Sequence, residues 1–478
     1  MKQDSAKNVP PNKPSFLHAT VCFGGVVLSI AGGLFGLGIS LHVLMFSSIL
    51  WVGLHAASLG YSYPVLRDMM SGAIERALPA IYIFILIGMV IASFMQAGTI
   101  ATLMYYGLSW ISPSLFLGIG LILCALMSVA TGTSWGTVGT LGVVFIGLGD
   151  ALGIPLSIVA GMIVCGATFG DKLSPISDTT NLAAMSAGTN LYRHIYSMLF
   201  TTTPSFIIAL LIFLVMGFAY GTDPVASGAS ELELMREALA INFELQPLIT
   251  LLPLIALAIL SARRVTAEIS MSVSILLATL IAIFYQQEPV ADVLNSLWQN
   301  TAGSTGIQTL DELLGRGGIA SMSWTLLLAL LALALGGLMH GAKFLDCLLE
   351  GLISRLQKTA PLIATTIAAG FVGNVAMGEA YISIILSCQL FKTKYHQAGL
   401  EPAILSRSVE EGATMTTGLI PWTTAGAFYA ATLGVPVLDY LPYAFFNYIN
   451  AFVAIAMATL GLGLLQRSAV STAIERNV

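Results

Sequence analysis

Long apolar runs recur along the whole chain, among them Phe16–Phe35, Leu78–Met95, Ile195–Met216, Leu245–Leu260, Ile269–Phe284 and Trp324–Met339. A helix needs about 20 apolar residues to cross a bilayer, so the pattern predicts roughly ten to thirteen crossings. Only 9% of the 478 residues are charged, against about 25% in a soluble domain. The mean hydropathy is +0.88, and the lipid bilayer is therefore the expected solvent. Runs such as Leu326-Leu327-Leu328-Ala329-Leu330-Leu331-Ala332-Leu333 do not alternate, which excludes the two-residue period of an outer-membrane barrel. The expected fold is all-α, a polytopic transmembrane helical bundle.

The net charge is −5 and no basic patch stands out, so nucleic-acid binding is excluded. Cys22, Cys124, Cys165, Cys347 and Cys388 are scattered through apolar stretches without CxxC spacing and read as packing residues. No cofactor is expected. Residues 1–15 are polar and lysine-bearing and lead into an apolar run without a small-residue cleavage site. They read as a cytoplasmic tail before an uncleaved first helix. Residues 221–244, with Asp223, Glu231, Glu233, Glu237 and Glu244 against Arg236, read as an external acidic linker. Arg263-Arg264 suit the inside, 286–318 the outside, Lys343, Arg355 and Lys358 the inside again, and Arg467 and Arg476 a cytoplasmic tail at 467–478.

An internal repeat divides what remains. Gly166-Ala167-Thr168, Leu173 and Pro175 reappear 246 residues later as Gly412-Ala413-Thr414, Leu419 and Pro421; at the same offset Gly132 meets Gly378 and Trp135 meets Tyr381. The halves are 16–220 and 245–466. Their charge patterns place them in opposite orientations, as in the inverted repeats of secondary transporters.

In each half the apolar pattern breaks twice. The first-half breaks are Thr131-Gly132-Thr133-Ser134 and Asp171-Lys172-Leu173-Ser174-Pro175-Ile176-Ser177-Asp178-Thr179. Those of the second half hold Asn374, Gly378 and Glu379, then Glu410-Glu411-Gly412-Ala413-Thr414 running on to Pro421-Trp422-Thr423-Thr424. Such residues at membrane depth predict re-entrant hairpins and broken helices, which are tolerated only where they are buried in protein or line a cavity. Unwound carbonyls, hydroxyls and carboxylates suit sodium, a hard cation. A buried carboxylate that holds either a proton or sodium, never both, is sufficient for antiport.

Asp171 and Asp178, on either side of Pro175, are the leading carboxylates, with Thr133 as a further sodium ligand. Ser174, Ser177, Thr179, Glu379, Glu410, Glu411 and Thr414 complete the candidate ion- and proton-binding set. Lys172 is expected to pair with one of the two aspartates. The bland alternative for every charged group here is snorkelling from a helix end to the interface.

Gly170-Asp171-Lys172-Leu173-Ser174-Pro175-Ile176-Ser177-Asp178-Thr179-Thr180-Asn181 resembles the most distinctive motif of the NhaC family of bacterial sodium/proton antiporters. Thr131 through Thr137, Leu313-Leu314-Gly315-Arg316-Gly317-Gly318 and Pro421-Trp422-Thr423-Thr424 are similar to that family in support. The resemblance implies an inner-membrane exchanger of Na+ for H+, dimeric in many members, with relatives that exchange malate for lactate. Glu379 and Glu411 stand where the family commonly has aspartate, and Thr423 and Ala425 replace an Asn and a Cys. These departures leave open a Na+/H+-coupled exchanger of a small carboxylate or an amino acid. An intramembrane enzyme is disfavoured: the six histidines contain no HExxH, and Gly132-Thr133-Ser134-Trp135-Gly136, though it fits GxSxG, lies between membrane helices and not at a strand-to-helix turn.

Overall fold

A computed structural model describes residues 12–110, 112–221, 228–263, 265–301, 303–353 and 358–465. Most of the N-terminal tail, the C-terminal tail at 467–478, Asp223, Arg264 and Arg355 lie outside the described residues.

The chain is built of helices, with no strand ladder among the described residues, as an apolar solvent requires when every backbone polar group must find its partner within the segment. Among the described residues, eight helices are long and apolar enough to span a bilayer, or eleven if each bent pair counts as one span. Exposed Leu54, Leu211, Val215 and Phe452 lie on such helices facing outward, where lipid would solvate them.

Two regions expected as external loops carry more structure than their polarity suggested. Helix Gly228–Asn242 occupies the acidic linker, because Met235, Ala238 and Leu239 fall on one face and are buried. Residues 313–318 fold inward, where the Gly318 amide donates to the Gly88 carbonyl at 2.7 Å, midway along helix Leu78–Gln96. Gly317 and Gly318 have φ of +98° and +87°, and a Cβ on Gly317 would meet the Ala92 amide at 2.5 Å. Only glycine permits that approach.

Local packing recurs at the 246-residue offset. A Cβ on Gly166 would lie 2.6 Å from the Leu121 carbonyl, and one on Gly412 would lie 2.2 Å from the carbonyl of Ile367. Ser128 donates to Ala167 O at 2.6 Å, as Asn374 does to Ala413 O at 2.6 Å. Helices Phe116–Thr131 and Thr359–Met377 both end on a left-handed glycine, Gly132 and Gly378. Thr133 and Glu379 then cap the next helix with their side chains. Farther on, Ser177 and Thr423 cap the helices that follow Pro175 and Pro421. Each capping oxygen satisfies an orphan amide at a helix start.

Candidate ion site

Helix Leu156–Leu173 stops at Ser174-Pro175-Ile176-Ser177, and helix Asp178–Ala187 begins directly after. Side chains just after the break satisfy several of its backbone carbonyls. The Thr180 hydroxyl donates to the carbonyls of Asp171 and Lys172 at 3.3 and 3.2 Å, and Asn181 Nδ2 donates to Pro175 O and Ser177 O at 3.0 and 2.6 Å. The polar residues after Pro175 are thus the means by which an unwound segment survives away from water.

The break borders a cavity of about 880 Å³. Asp171, 6% exposed, accepts from Ser134 N at 3.1 Å, Ser134 Oγ at 2.6 Å and Ser177 Oγ at 2.6 Å. Asp178 opens to the cavity and accepts from its neighbour's Thr179 N at 2.9 Å and from the Tyr381 hydroxyl. Ser177 Oγ also lies 3.1 Å from Thr179 Oγ1, while Asp178 is met by the Thr179 amide and not by its hydroxyl. Glu379, 5% exposed, accepts from Thr424 Oγ1 at 2.7 Å and Tyr381 N at 3.4 Å. Tyr381 therefore touches both Asp178 and Glu379. Among the described residues, none of these three acids forms a salt bridge. No group of three His, Cys, Asp or Glu side chains is gathered there to hold a metal ion.

Trp135 lies against the cavity and stacks on Phe428, with centroids 4.7 Å apart and planes at 13°; Phe84 meets Trp135 edge-on at 5.2 Å. The lining extends to Arg76 and Thr266, both at exposed helix ends, and includes Glu268.

Of the candidate residues, Thr131, Gly132, Thr133, Ser134, Asp171, Pro175, Asp178, Thr179, Glu379, Thr414 and Thr424 line the cavity. Ser177 stands one layer back, and Ser174 turns away to donate to Val129 O at 2.7 Å. Asn374, Gly378, Pro421 and Thr423 shape the second-half breaks without lining the cavity. Thr414 presents its surface there, but its hydroxyl is directed at Glu410 Oε1, 3.5 Å away.

Glu410 and Glu411 do not join the other acids. Both are fully buried, beside His194 and Arg407 respectively, because helix Pro402–Gly412 turns this face from the cavity. Lys172 pairs with neither aspartate. It follows Asp171 by one residue, about 100° around the helix, and the acids whose field reaches it are Glu411 and Glu410. Tyr381 and Tyr429 line the cavity without having been among the candidates. The only sequence signal for Tyr381 was its match to Trp135 in the repeat; Tyr429 had none.

The family model described as the Na+/H+ antiporter family matches residues 16–180 and 166–462. The Na+/H+ antiporter NhaC of Alkalihalophilus pseudofirmus is 38% identical over 95% of this chain and 97% of its own. The malate-2H+/Na+-lactate antiporter of Bacillus subtilis is 32% identical over 94% of each chain. An uncharacterized Na+/H+ antiporter of Haemophilus influenzae is 37% identical over 90% of this chain and 94% of its own. All three carry the names of transporters and none that of an enzyme.

Proposed function

The chain belongs to the Na+/H+ antiporter family, and from that premise we propose that it exchanges Na+ for H+ at Asp171 and Asp178. The observation that carries this reading is a pair of carboxylates in one cavity with hydroxyl donors and, among the described residues, no salt bridge to either. Lys172, the nearest base in the chain, is turned elsewhere. Asp171 and Asp178 feel each other's charge, so ionising both favours a mobile cation between them. Sodium takes carboxylate and hydroxyl oxygens, with Asp171, Asp178 and Thr133 as the ligands from the first half. Its arrival displaces a proton; at high proton concentration the reverse holds. Sodium binding therefore weakens as pH falls.

The wider arrangement follows the same reading. The halves 16–220 and 245–466 are inverted repeats, a view supported by packing contacts that recur at one offset. The membrane is the bacterial inner membrane, with both termini cytoplasmic and the Arg76 end of the cavity facing the cytoplasm. Glu379, matched to Thr133 in the repeat, supplies charge from the opposite half.

Proteoliposomes with a trapped pH dye test the exchange. Added sodium drives proton movement in the native protein, whereas Asp178→Asn inserts normally and moves none. An Asn variant exchanging at the native rate and pH dependence would remove Asp178 from the role. A small organic anion as co-substrate is favoured by one observation, a cavity of about 880 Å³ with exposed Arg76 in its lining, a volume well beyond the needs of one ion. Labelled malate or lactate taken up by sodium-loaded vesicles would establish it; proton movement alone would exclude it.

A further inference from the structure

Behind the cavity wall lies a second set of ionisable groups that the exchange at Asp171 and Asp178 does not use. Lys172, Arg407, Glu410, Glu411 and His194 are all 0% exposed. Arg407 and Glu411 lie side by side, though Arg407 Nε and Nη2 and Glu411 Oε2 have no hydrogen-bond partner. Arg407 Nε stands 3.8 Å from Glu411 Oε1, Arg407 Nη1 donates to Ser197 O and Gly463 O at 3.2 and 3.0 Å, and the Thr201 hydroxyl donates to Glu411 at 2.5 Å. Glu410 has no bond as short as the one Glu411 receives from Thr201. Thr414 reaches its Oε1 only at 3.5 Å. Its Oε2 lies 3.4 Å from His194 Nε2, and neither of those two atoms has a hydrogen-bond partner.

A buried carboxylate with so little hydrogen bonding is costly to keep ionised, and one proton shared with an imidazole removes most of that cost. His194 is positioned to share it, since its other nitrogen, Nδ1, is fixed 2.7 Å from Ser406 Oγ and the ring cannot turn away freely. We propose that Glu410 and His194 form a second proton-binding site, separate from the carboxylates of the cavity and connected to it through Thr414. The inference rests on the antiport reading for its role in the cycle, though the proton site itself does not depend on sodium.

Thr414 makes the connection because one side of it lines the cavity while its hydroxyl faces Glu410. A hydronium ion in the cavity protonates Thr414 Oγ1, whose own proton passes to Glu410 Oε1. The threonine ends unchanged, the hydronium ends as water, and the glutamate ends as a carboxylic acid beside His194. The ionisable groups facing the pair are few. Lys172 comes from helix Leu156–Leu173, Arg407 and Glu411 from Glu410's own helix, and Cys388, with Lys392 behind it, from helix Ala380–Gln397. Tyr395 of that helix faces Arg407 and Glu411 and bonds Thr366. Asp178, the one ionisable side chain of helix Asp178–Ala187, turns to Tyr381. Helix Thr359–Met377 has none, and helix Phe445–Thr459 has only Tyr448, which bonds Pro442 O.

Infrared titration of the full-length protein in lipid, without sodium, reads the site directly. The native protein should show a carboxylic-acid C=O band that titrates with pH, that Glu410→Gln removes and that His194→Asn displaces along the pH axis. A band set unchanged in Glu410→Gln, or unmoved in His194→Asn, overturns the proposal, and the histidine variant decides alone if the glutamine variant does not fold. Calorimetry of sodium binding in buffers of different ionisation heat then gives the proton count per sodium. Glu410→Gln should still bind sodium but release fewer protons, and an unchanged count also overturns the proposal. Native protein that releases no proton on binding sodium would contradict the antiport reading alone, because the infrared titration judges the pair without sodium.

Discussion

Asp171 and Lys172 are neighbours in the chain, yet their side chains leave the helix toward different chemistries. The aspartate enters the cavity and the lysine enters a sealed charge cluster. Had the lysine faced the cavity, its ammonium would have occupied the place of the transported cation. Ser134 shows how finely the aspartate is held, with amide and hydroxyl both donating to one carboxylate oxygen. Ser134→Ala keeps the amide and loses the hydroxyl. A hydrogen bond to a charged group contributes about 1.5–3 kcal/mol, so apparent sodium affinity should fall about 10-fold or more. The bond favours the ionised carboxylate, hence the loss should be largest at low pH and shrink as pH rises, measured as sodium-dependent proton flux across a pH series.

At the scale of elements, the breaks depend on glycines that let helices touch through their backbones. Gly412→Ala would drive a methyl into the Ile367 carbonyl. Overpacking of this kind costs about 1–3 kcal/mol, to be read as a lower unfolding temperature in detergent with the transport pH profile unchanged. This level was the most legible in the sequence: Pro175 and Pro421 marked the interrupted helices, and the shared offset matched contacts that do recur. Helix faces were not legible. Glu410 and Glu411 sit near a break, as expected, but which side of Pro402–Gly412 meets the cavity is decided by how that helix packs on Thr359–Met377 and Leu191–Gly221. Lys172 was misplaced for the same reason. The inward turn at 313–318 was hidden because glycine reads alike in a surface loop and in a buried turn.

For the molecule as a whole, the cavity has an exposed end near Arg76 and Thr266, and an aromatic layer of Trp135, Phe428 and Phe84 stands against it. Ile385, 37% exposed and part of the lining, offers a reporter. In Ile385→Cys, a membrane-impermeant maleimide should label the protein from the Arg76 side in the absence of sodium. Labelling of equal speed from both faces would mean that the aromatic layer does not close the path. Bound sodium should change the rate if the cavity alternates between faces.

Helix Thr424–Leu433 is only ten residues, about 15 Å from end to end. At its first residue the Thr424 hydroxyl grips Glu379, midway the Phe428 ring lies flat on Trp135, and at its last the Leu433 carbonyl rests on the Arg316 guanidinium, 3.1 Å away. One short element thus meets a carboxylate, an aromatic stack and a guanidinium, and any displacement of it as a unit would be felt at all three.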